Sequence, residues 1–409
     1  MKKKLIIGIG LVASFALVAL IVIGIIFQDR ITRVRMASSL FTGAEQYENF
    51  PRMHEFFPVT TMSAAPEPHP FPQGDQIELP QDYRFEGETK NLSAFLEATD
   101  SSALLVLKDG HLIYENYWLT GGRDVTWLSM SVAKSFISAL IGIAISDGNI
   151  KSVNDPITDY APELEGSAYD GVRIKDILQM SSGARWNEDY SDPKSDINRF
   201  GRIFALGGSI NEFTATLPRE KQPGTFNRYN STDTQALGIL LKNAVGESIS
   251  DYMTYKLWYP MGVEHHGHWL LDGEGMEMAF AGMNITARDY AKLGELYRNG
   301  GALNGQQIVP SEWVKASTRP DAPHLLPGKD NPASDFELGY GYQWWIPEGD
   351  QGVFMAIGVY NQFIYVNPEA GVVIVKLSAN SEFGTTDDES SYRELESIEM
   401  FHKIASSIR

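Results

Sequence analysis

Strand-forming segments stand near both ends of the main body of this sequence, and helical patterns fill the region between them. Segments 103–107 and 112–118 are apolar and flank Asp109-Gly110, a dipeptide typical of a tight hairpin turn. Four later segments are rich in β-branched and aromatic residues, at 341–346, 352–356, 363–366 and 372–377. This order predicts an α+β fold. Both ends of the chain build one antiparallel sheet flanked by helices, and a mostly helical region is inserted at about 150–285.

Helical periodicity and capping residues predict the elements between the two groups of strands. The most apolar helix begins after Ser129, a candidate N-cap, and stops at Gly148. The other helices are predicted at 92–99, 174–180, 197–205, 231–245, 249–259, 286–299, 310–317 and 390–408.

The amino-terminal segment has the pattern of a membrane anchor. Three lysines precede an uncharged, almost wholly apolar run from Leu5 to Phe27. As a helix this run is about 35 Å long, which is enough to cross a hydrocarbon core of about 30 Å. A cleaved signal peptide is the alternative, but Gln28 follows the run directly, where such a peptide carries small residues. Residues 1–35 are therefore predicted to be a single-pass anchor in the inner (cytoplasmic) membrane, with the body periplasmic or extracellular.

Two further regions follow this anchor. Residues 36–90 contain scattered aromatic residues and a proline-rich piece at 65–72, without sustained periodicity. They are predicted to be a linker or an arm that wraps around the body, because free tethers are poor in aromatic residues. Residues 91–409 are predicted to be the single folded domain.

Composition and charge exclude several classes of function. The net charge of −18 argues against nucleic-acid binding. The chain has no cysteine, which excludes disulfides, thiolate nucleophiles and cysteine metal sites. The segment His265-His266-Gly267-His268 has no carboxylate partner at helical His-x-x-x-His spacing and follows a turn signal, so no metal site is predicted. No cofactor is predicted either, and the oligomeric state stays open.

A serine and a lysine stand three positions apart where the apolar helix begins. Ser131 and Lys134 share one helix face, so the hydroxyl and the amine can meet without help from the rest of the fold. Unpaired backbone N–H groups at a helix start favour an alkoxide and disfavour an ammonium group, which suits a nucleophile beside a neutral base. The pattern is short, however, and it recurs at Ser191 and Lys194 around a proline. Alone, it does not separate a nucleophile from a coincidence.

Further motifs in the right order resolve this ambiguity. Tyr229 lies in Pro223-Gly-Thr-Phe-Asn-Arg-Tyr-Asn-Ser231, about a hundred residues after Ser131. With Ile174–Gly183, Asn284–Gly294 and Gly339–Trp345, these stretches resemble the serine-dependent β-lactamase-like superfamily, in its branch of class C β-lactamases, carboxylesterases and 6-aminohexanoate-oligomer hydrolases. The resemblance covers about residue 92 to the end. It implies the β-lactamase and transpeptidase type of fold.

The resemblance also implies roles for four residues. Ser131 is the expected nucleophile, which forms an acyl-enzyme, and Lys134 and Tyr229 are expected to share the proton transfers. A lysine cation nearby is expected to favour the phenolate form of Tyr229. The backbone N–H groups of Ser131 and Val359 are the expected donors to the oxyanion.

The third motif of the superfamily departs from its usual pattern here. That motif is a Lys/His-Thr/Ser-Gly strand whose polar side chains bind a substrate carboxylate, and the corresponding stretch is Ala356–Gln362. Only the glycine, Gly358, is retained. Because a substrate carboxylate would be poorly held, the departure argues against β-lactam and D-alanyl-D-alanine substrates. It favours the esterase and oligomer-hydrolase branch.

The sequence therefore predicts a membrane-anchored serine esterase or amidase that acts on a small-molecule substrate. No Gly-x-Ser-x-Gly elbow of an α/β-hydrolase is present. A catalytically silent domain that binds a cell-envelope ligand, and a penicillin-binding D-alanyl-D-alanine peptidase, are the alternatives. The expected substrate contacts are Trp186, Glu188, Asp189, Ser231, Asn284, Gly358, Tyr360 and Gln362.

Overall fold

A computed structural model describes residues 46–349 and 352–408, together with Ala16, Leu17, Val22, Gly24, Leu40, Phe41 and Gly43. Its strands are β1 (Val59–Met62), β2 (Asp82–Phe85), β3 (Glu88–Asn91), β4 (Ser101–Lys108), β5 (His111–Tyr117), β6 (Thr126–Leu128), β7 (Gly267–Leu270), β8 (Met283–Thr286), β9 (Ala302–Leu303), β10 (Gln306–Gln307), β11 (Gly339–Tyr340), β12 (Trp345–Ile346), β13 (Phe354–Gly358), β14 (Gln362–Asn367) and β15 (Val372–Ser378).

The largest sheet joins the two ends of the chain. Its seven strands lie in the order β11-β12-β13-β14-β15-β4-β5, and every neighbouring pair is antiparallel. The early hairpin therefore pairs directly with the late meander through β4 and β15, which confirms the predicted antiparallel sheet. Segment 341–346 was predicted as one strand, and that is wrong. The chain turns there between β11 and β12, because Gln343 has a φ of +63°, which a strand does not allow, and the Gly341 N–H donates to the Trp344 carbonyl at 2.9 Å.

A second sheet was not predicted. It has the order β1-β7-β8-β6 and combines the segment before the first hairpin with strands on either side of the inserted region. Each of its strands has three or four residues. Such short strands carry too little alternation to be recognised in a sequence, so only tertiary pairing reveals them.

The helices surround the two sheets. They are α1 (Met53–Phe56), α2 (Leu92–Ala98), α3 (Ala133–Ser146), α4 (Ile174–Leu178), α5 (Asp196–Ala205), α6 (Ile210–Ala215), α7 (Ser231–Val245), α8 (Ile249–Met253), α9 (Ala287–Arg298), α10 (Ser311–Ser317), α11 (Glu389–Tyr392) and α12 (Glu394–Ser407). Most agree with the predicted segments within a few residues. Helix α6 was missed, and the predicted closing helix is divided at Arg393, whose φ is +55°.

The predicted cap of the apolar helix is wrong. A 3₁₀ turn, Met130–Val132, leads into α3, and the Ser129 hydroxyl accepts from no N–H of this turn. It accepts instead from the Met283 N–H at 3.2 Å and donates to the Ala281 carbonyl at 3.1 Å. Helix α7, in contrast, has a true cap. The Asn230 side chain accepts from the Thr232 N–H at 2.9 Å, and the helix ends at Gly246 with φ +74°. The start of α3 is therefore held by tertiary contacts, whereas α7 is set locally.

Two apolar cores lie on opposite faces of the large sheet. Leu105 and Leu107 of β4 belong to one core, and Leu104 and Val106 belong to the other. Because successive residues of β4 point to opposite faces and each face is covered by an apolar core, every position from Ala103 to Leu107 is apolar. The sequence of this part of β4 is therefore a continuous apolar run. Helix α9 packs on β14 and β15 from one side, and α2 and α12 cover the other.

The region between the predicted anchor and the first hairpin packs on this body. Phe50 is fully buried, with its ring 5.4 Å from that of Trp127, and β1 pairs with β7. The predicted membrane anchor lies outside the described residues except for Ala16, Leu17, Val22 and Gly24. Within the described part of the chain, no helix has the length and apolarity needed to cross a bilayer.

Candidate active site

Ser131 lies where the two sheets and α3 meet. It occupies the 3₁₀ turn between β6 and α3 and is 6% exposed. The end of β13 approaches this turn so closely that a Cβ on Gly358 would lie 2.8 Å from the Ser129 carbonyl and 3.0 Å from the Ser131 nitrogen. Glycine at 358 is therefore a steric requirement of the approach. The next residue, Val359, lines the same cavities as Ser131, consistent with the paired N–H donors expected there.

Lys134 is the hydrogen-bond partner of Ser131. Its Nζ lies 2.7 Å from the Ser131 Oγ, 3.2 Å from the Ser231 Oγ and 3.3 Å from the Phe280 carbonyl. The side chain is only 2% exposed, and burial lowers the pKa of Lys134 to about 7. Near neutral pH a large fraction of the amine is therefore uncharged, with a lone pair that can accept the serine proton.

Tyr229 completes a cluster of three polar groups. It lines the same cavity as Ser131, and the Lys134 Nζ lies 4.8 Å from the centre of its ring. Trp345 stacks on the other side at 5.1 Å. Burial raises the pKa of Tyr229 well above its ordinary value, which favours the phenol over the expected phenolate.

Glu188 links the cluster to the loop after α4. Its carboxylate accepts from the Ser231 hydroxyl at 2.6 Å, the Ser231 N–H at 3.1 Å and the Tyr190 hydroxyl at 2.7 Å, and also from the Trp186 indole. Ser231 in turn contacts Lys134. Glu188 was predicted as a substrate contact. The structure gives it four hydrogen bonds from the protein, and through Ser231 it holds Lys134 in place.

A cavity of about 490 Å³ opens beside these groups. Of the predicted substrate contacts, Trp186, Glu188 and Asp189 line it together with Ser131 and Tyr229. The lining also contains residues that the sequence did not indicate, and they lie more than a hundred residues after Tyr229: Asp335, Phe336, Phe383, Asp387, Tyr392 and Glu394. The segment ending at Trp345 and the third-motif stretch, which contributes Ile357 and Val359, were the signals that pointed to this wall.

The remaining predicted contacts have other neighbours. Asn284 is buried in β8 and donates to the Phe50 carbonyl at 2.8 Å, so it ties the second sheet to the segment before it. Gln362 donates to the carbonyls of Tyr360 at 2.9 Å and Ser378 at 2.6 Å, and so fixes the turn that carries Val359. Tyr360 lines a second cavity, described below.

Acidic side chains dominate the charge of this cavity. Glu188, Asp189, Asp335, Asp387 and Glu394 contribute carboxyl groups, although burial raises the pKa of Glu394 to about 8. Arg228 is the basic residue among the described residues of the lining. It is paired with Asp335 at 2.9 Å and Glu220 at 2.7 Å. The cavity therefore suits a neutral or cationic group better than a carboxylate.

The second Ser-x-x-Lys pair and the histidine-rich segment make contacts with other side chains of the protein. Ser191 of the second Ser-x-x-Lys pair is exposed and donates to Asp189 at 2.7 Å. His265 pairs with Asp124 at 2.8 Å, and His268 stacks on His54 with ring centres 4.8 Å apart. In the part of the chain that the structure describes, no three His, Asp or Glu side chains are grouped so that they could hold a metal ion.

Known proteins share this sequence and architecture. The family described as Beta-lactamase matches residues 89–397. A 6-aminohexanoate-dimer hydrolase of Paenarthrobacter ureafaciens is 29% identical over 296 residues, which cover 71% of this chain and 75% of that protein. A solved structure described as a candidate 6-aminohexanoate-dimer hydrolase from Bacillus anthracis superposes with a TM-score of 0.79 at 23% identity, covering 90% of this chain and 96% of that one.

A second solved structure has a wider described activity. EstCE1, described as a hydrolase with promiscuous acyltransferase activity, superposes with a TM-score of 0.60 at 17% identity, covering 76% of this chain and 96% of that one. At this identity the likeness concerns the fold alone. Because the family match spans residues 89–397, which are most of the chain, and includes Ser131, Lys134 and Tyr229, this chain belongs to the beta-lactamase family and is one of its serine hydrolases.

Proposed function

We propose that this protein hydrolyses small esters or amides through an acyl-enzyme on Ser131. The observation that carries the proposal is the contact of 2.7 Å between the Lys134 amine and the Ser131 hydroxyl, together with burial that lowers the pKa of Lys134 to about 7. An amine of this kind can remove the serine proton at neutral pH without a histidine.

The proton transfers follow from the two pKa directions. In acylation, Lys134 takes the Ser131 proton as the serine oxygen bonds to the substrate carbonyl carbon. The N–H groups of Ser131 and Val359 stabilise the oxyanion. Tyr229 then donates its phenolic proton to the leaving group as the scissile bond breaks, and the Lys134 ammonium restores that proton. In deacylation, water occupies the leaving-group position, the same groups act in reverse, and Ser131 regains its proton.

The substrate class rests on charge. The relative from Paenarthrobacter ureafaciens is named for the hydrolysis of an amide dimer. In this chain the third-motif strand offers Ala356 and Ile357 where a basic residue and a hydroxyl would bind a carboxylate. The guanidinium of Arg228 is already paired with two carboxylates. We therefore favour neutral or cationic esters and amides over D-alanyl-D-alanine peptides and β-lactams.

We further propose that residues 1–35 anchor the protein in the cytoplasmic membrane with its catalytic domain outside. The apolar run from Leu5 to Phe27 and the lysines before it support this proposal. Protease protection of spheroplasts tests it, since a catalytic domain outside the membrane is digested while the spheroplast remains intact. A domain that is digested only after lysis would contradict it.

A fluorophosphonate probe tests the enzymatic proposal on the full-length protein. We expect a single label, located on Ser131 by peptide mass mapping, because the serine is activated by Lys134. Ser191→Ala is the matched control and should be labelled like the wild type, since Ser191 is exposed and bonded to Asp189. A folded protein that takes no label would support the silent binding domain. Acylation of Ser131 by labelled penicillin would support the peptidase instead.

The pH dependence of kcat/KM gives a second prediction. Activity should rise with pH through about 7, because the neutral form of Lys134 is the base. The Glu188 carboxylate raises the pKa of Lys134 by attraction, against the larger effect of burial. Glu188→Gln should therefore lower the pKa of Lys134 further and move the rising limb to lower pH.

Asp189→Asn is the matched control for this measurement. Asp189 also lines the cavity, but its carboxylate bonds to Ser191 and not to the Lys134 network. The rising limb of Asp189→Asn should coincide with that of the wild type. A limb in Glu188→Gln that stays in place or moves to higher pH would contradict Lys134 as the titrating base.

A further inference from the structure

A second cavity also reaches Ser131. It has a volume of about 420 Å³, within the range of small-molecule sites. Ser131, Tyr190 and Val359 line both cavities, so the serine lies at their junction. The acidic cavity is described above. Most of the second lining is apolar, with its larger side chains from Phe57, Phe200, Phe204, Met278 and Phe280.

Two polar side chains of the second lining bond to backbone carbonyls. The Asn198 amide donates to the carbonyls of Tyr190 at 3.1 Å and Asp192 at 2.9 Å. The Arg202 guanidinium donates to the Pro193 carbonyl at 2.8 Å. The described residues of the lining include no carboxylate, so an ammonium group in this cavity would lose water without gaining an ionic partner. Methylene groups would be stabilised by burial.

The position of Tyr229 decides which half of a substrate enters which cavity. Tyr229 lines the acidic cavity, and as the proposed proton donor it must face the leaving group. The leaving group therefore belongs in the acidic cavity. The acyl part is then left with the other cavity that meets at Ser131, which is the apolar one.

We propose that the apolar cavity is an acyl-chain subsite and that the preferred substrates are esters or amides of uncharged, linear aliphatic acids of medium length. This inference rests on the proposed function, since it needs Ser131 to be acylated. The segment before β1 gives the subsite part of its wall, because Leu40, Phe41 and Met53 belong to the lining. A terminal ammonium group on the acyl chain would be disfavoured, which separates this chain from an enzyme that acylates itself with 6-aminohexanoate.

Gly201 offers a way to fill the subsite selectively. It lies on α5 one turn from Ile197 and from Ala205, and all three residues line the cavity. A Cβ built on Gly201 has no atom within 4 Å. Gly201 is exposed, so Gly201→Trp adds a ring at the edge of the cavity without displacing the core. Gly201→Ala is the matched control, because it removes the same glycine but leaves the cavity open.

The test measures kcat/KM of the full-length variants on p-nitrophenyl esters from acetate to decanoate. For the wild type we expect a rise of about fourfold per added methylene up to about octanoate. Gly201→Trp should hydrolyse acetate within about twofold of the wild-type rate but lose at least about thirtyfold on octanoate. Gly201→Ala should follow the wild type. The 6-aminohexanoate ester should be at least about tenfold poorer than the hexanoate ester.

The possible outcomes separate this inference from the function on which it rests. No hydrolysis of acetate and no label on Ser131 would overturn the proposed function itself. Hydrolysis of acetate with a flat dependence on chain length would overturn only the acyl-chain subsite. An equal loss on acetate and octanoate in Gly201→Trp would also overturn it, because a plug in the subsite must discriminate by length.

Discussion

Replacing Ser131 with alanine should lower kcat/KM on any ester or amide substrate by at least about 10⁴-fold, because the nucleophile of the acyl-enzyme is lost. The fold should survive. Alanine fits the space of the serine, and Lys134 keeps its contacts with Ser231 at 3.2 Å and with the Phe280 carbonyl at 3.3 Å. The thermal transition of Ser131→Ala should therefore be close to that of the wild type.

Ser135→Ala is the matched control for this loss. Ser135 lies on the same helix, and its buried hydroxyl donates to the Gln343 carbonyl at 2.7 Å. Its removal should cost about 1 kcal/mol of stability while activity is retained. More than a hundredth of the wild-type activity in Ser131→Ala would contradict the assignment of the nucleophile.

Replacing Tyr229 with phenylalanine should lower kcat/KM on an amide by about 10²- to 10³-fold, because an amine leaves only when it is protonated. The ring and its stacking on Trp345 at 5.1 Å are retained. A p-nitrophenyl ester should lose less than about tenfold, since nitrophenolate departs without a proton. The comparison uses kcat/KM because this constant reports the steps up to acylation.

Tyr340→Phe is the control for the aromatic cluster. The Tyr340 ring packs against Tyr229 at 6.3 Å and against Trp345 at 4.8 Å, so its hydroxyl is removed from the same buried surroundings. Amide and ester rates should fall little and in parallel. If Tyr229→Phe lowers both substrates equally, the phenol acts on the serine and not on the leaving group.

The proposed acylation has two proton transfers, one from Ser131 to Lys134 and one from Tyr229 to the leaving group. The transfer from Ser131 needs a base whose pKa is lowered, and burial lowers the pKa of Lys134. The transfer to the leaving group needs an acid that stays protonated, and burial raises the pKa of Tyr229. One apolar environment therefore produces both groups, because desolvation penalises an ammonium and a phenolate alike.

Periodicity and local geometry were sufficient for much of the fold and for the centre of the site. The segments of β4, β5, β14 and β15 stand out as apolar runs bounded by turn residues, and their order predicts the joined sheet. Ser131 and Lys134 meet because three positions along a helical segment bring two side chains to one face. Neither inference needs contacts between distant segments.

Other features depend on contacts between segments far apart in the chain. The second sheet pairs β1 with β7, about two hundred residues later, through strands too short to be recognised alone. Asn284 and Gln362 were predicted to contact the substrate. Their side-chain amides donate hydrogen bonds to backbone carbonyls of other segments, those of Phe50 and Ser378. A residue type shows what a side chain can bond to. Its neighbours decide whether that capacity is still free.

The sequence by itself determined the Ser131–Lys134 pair, the sheet built from both ends and the loss of the basic third motif, because these follow from spacing and residue type along the chain. Only the tertiary structure decided which way the pKa values of Lys134 and Tyr229 move, that Glu188 anchors the network, and that an acidic and an apolar cavity meet at the serine. The physical reason is that the burial and the electrostatic surroundings of a residue depend on all the segments that folding brings around it. A local sequence pattern does not contain this information.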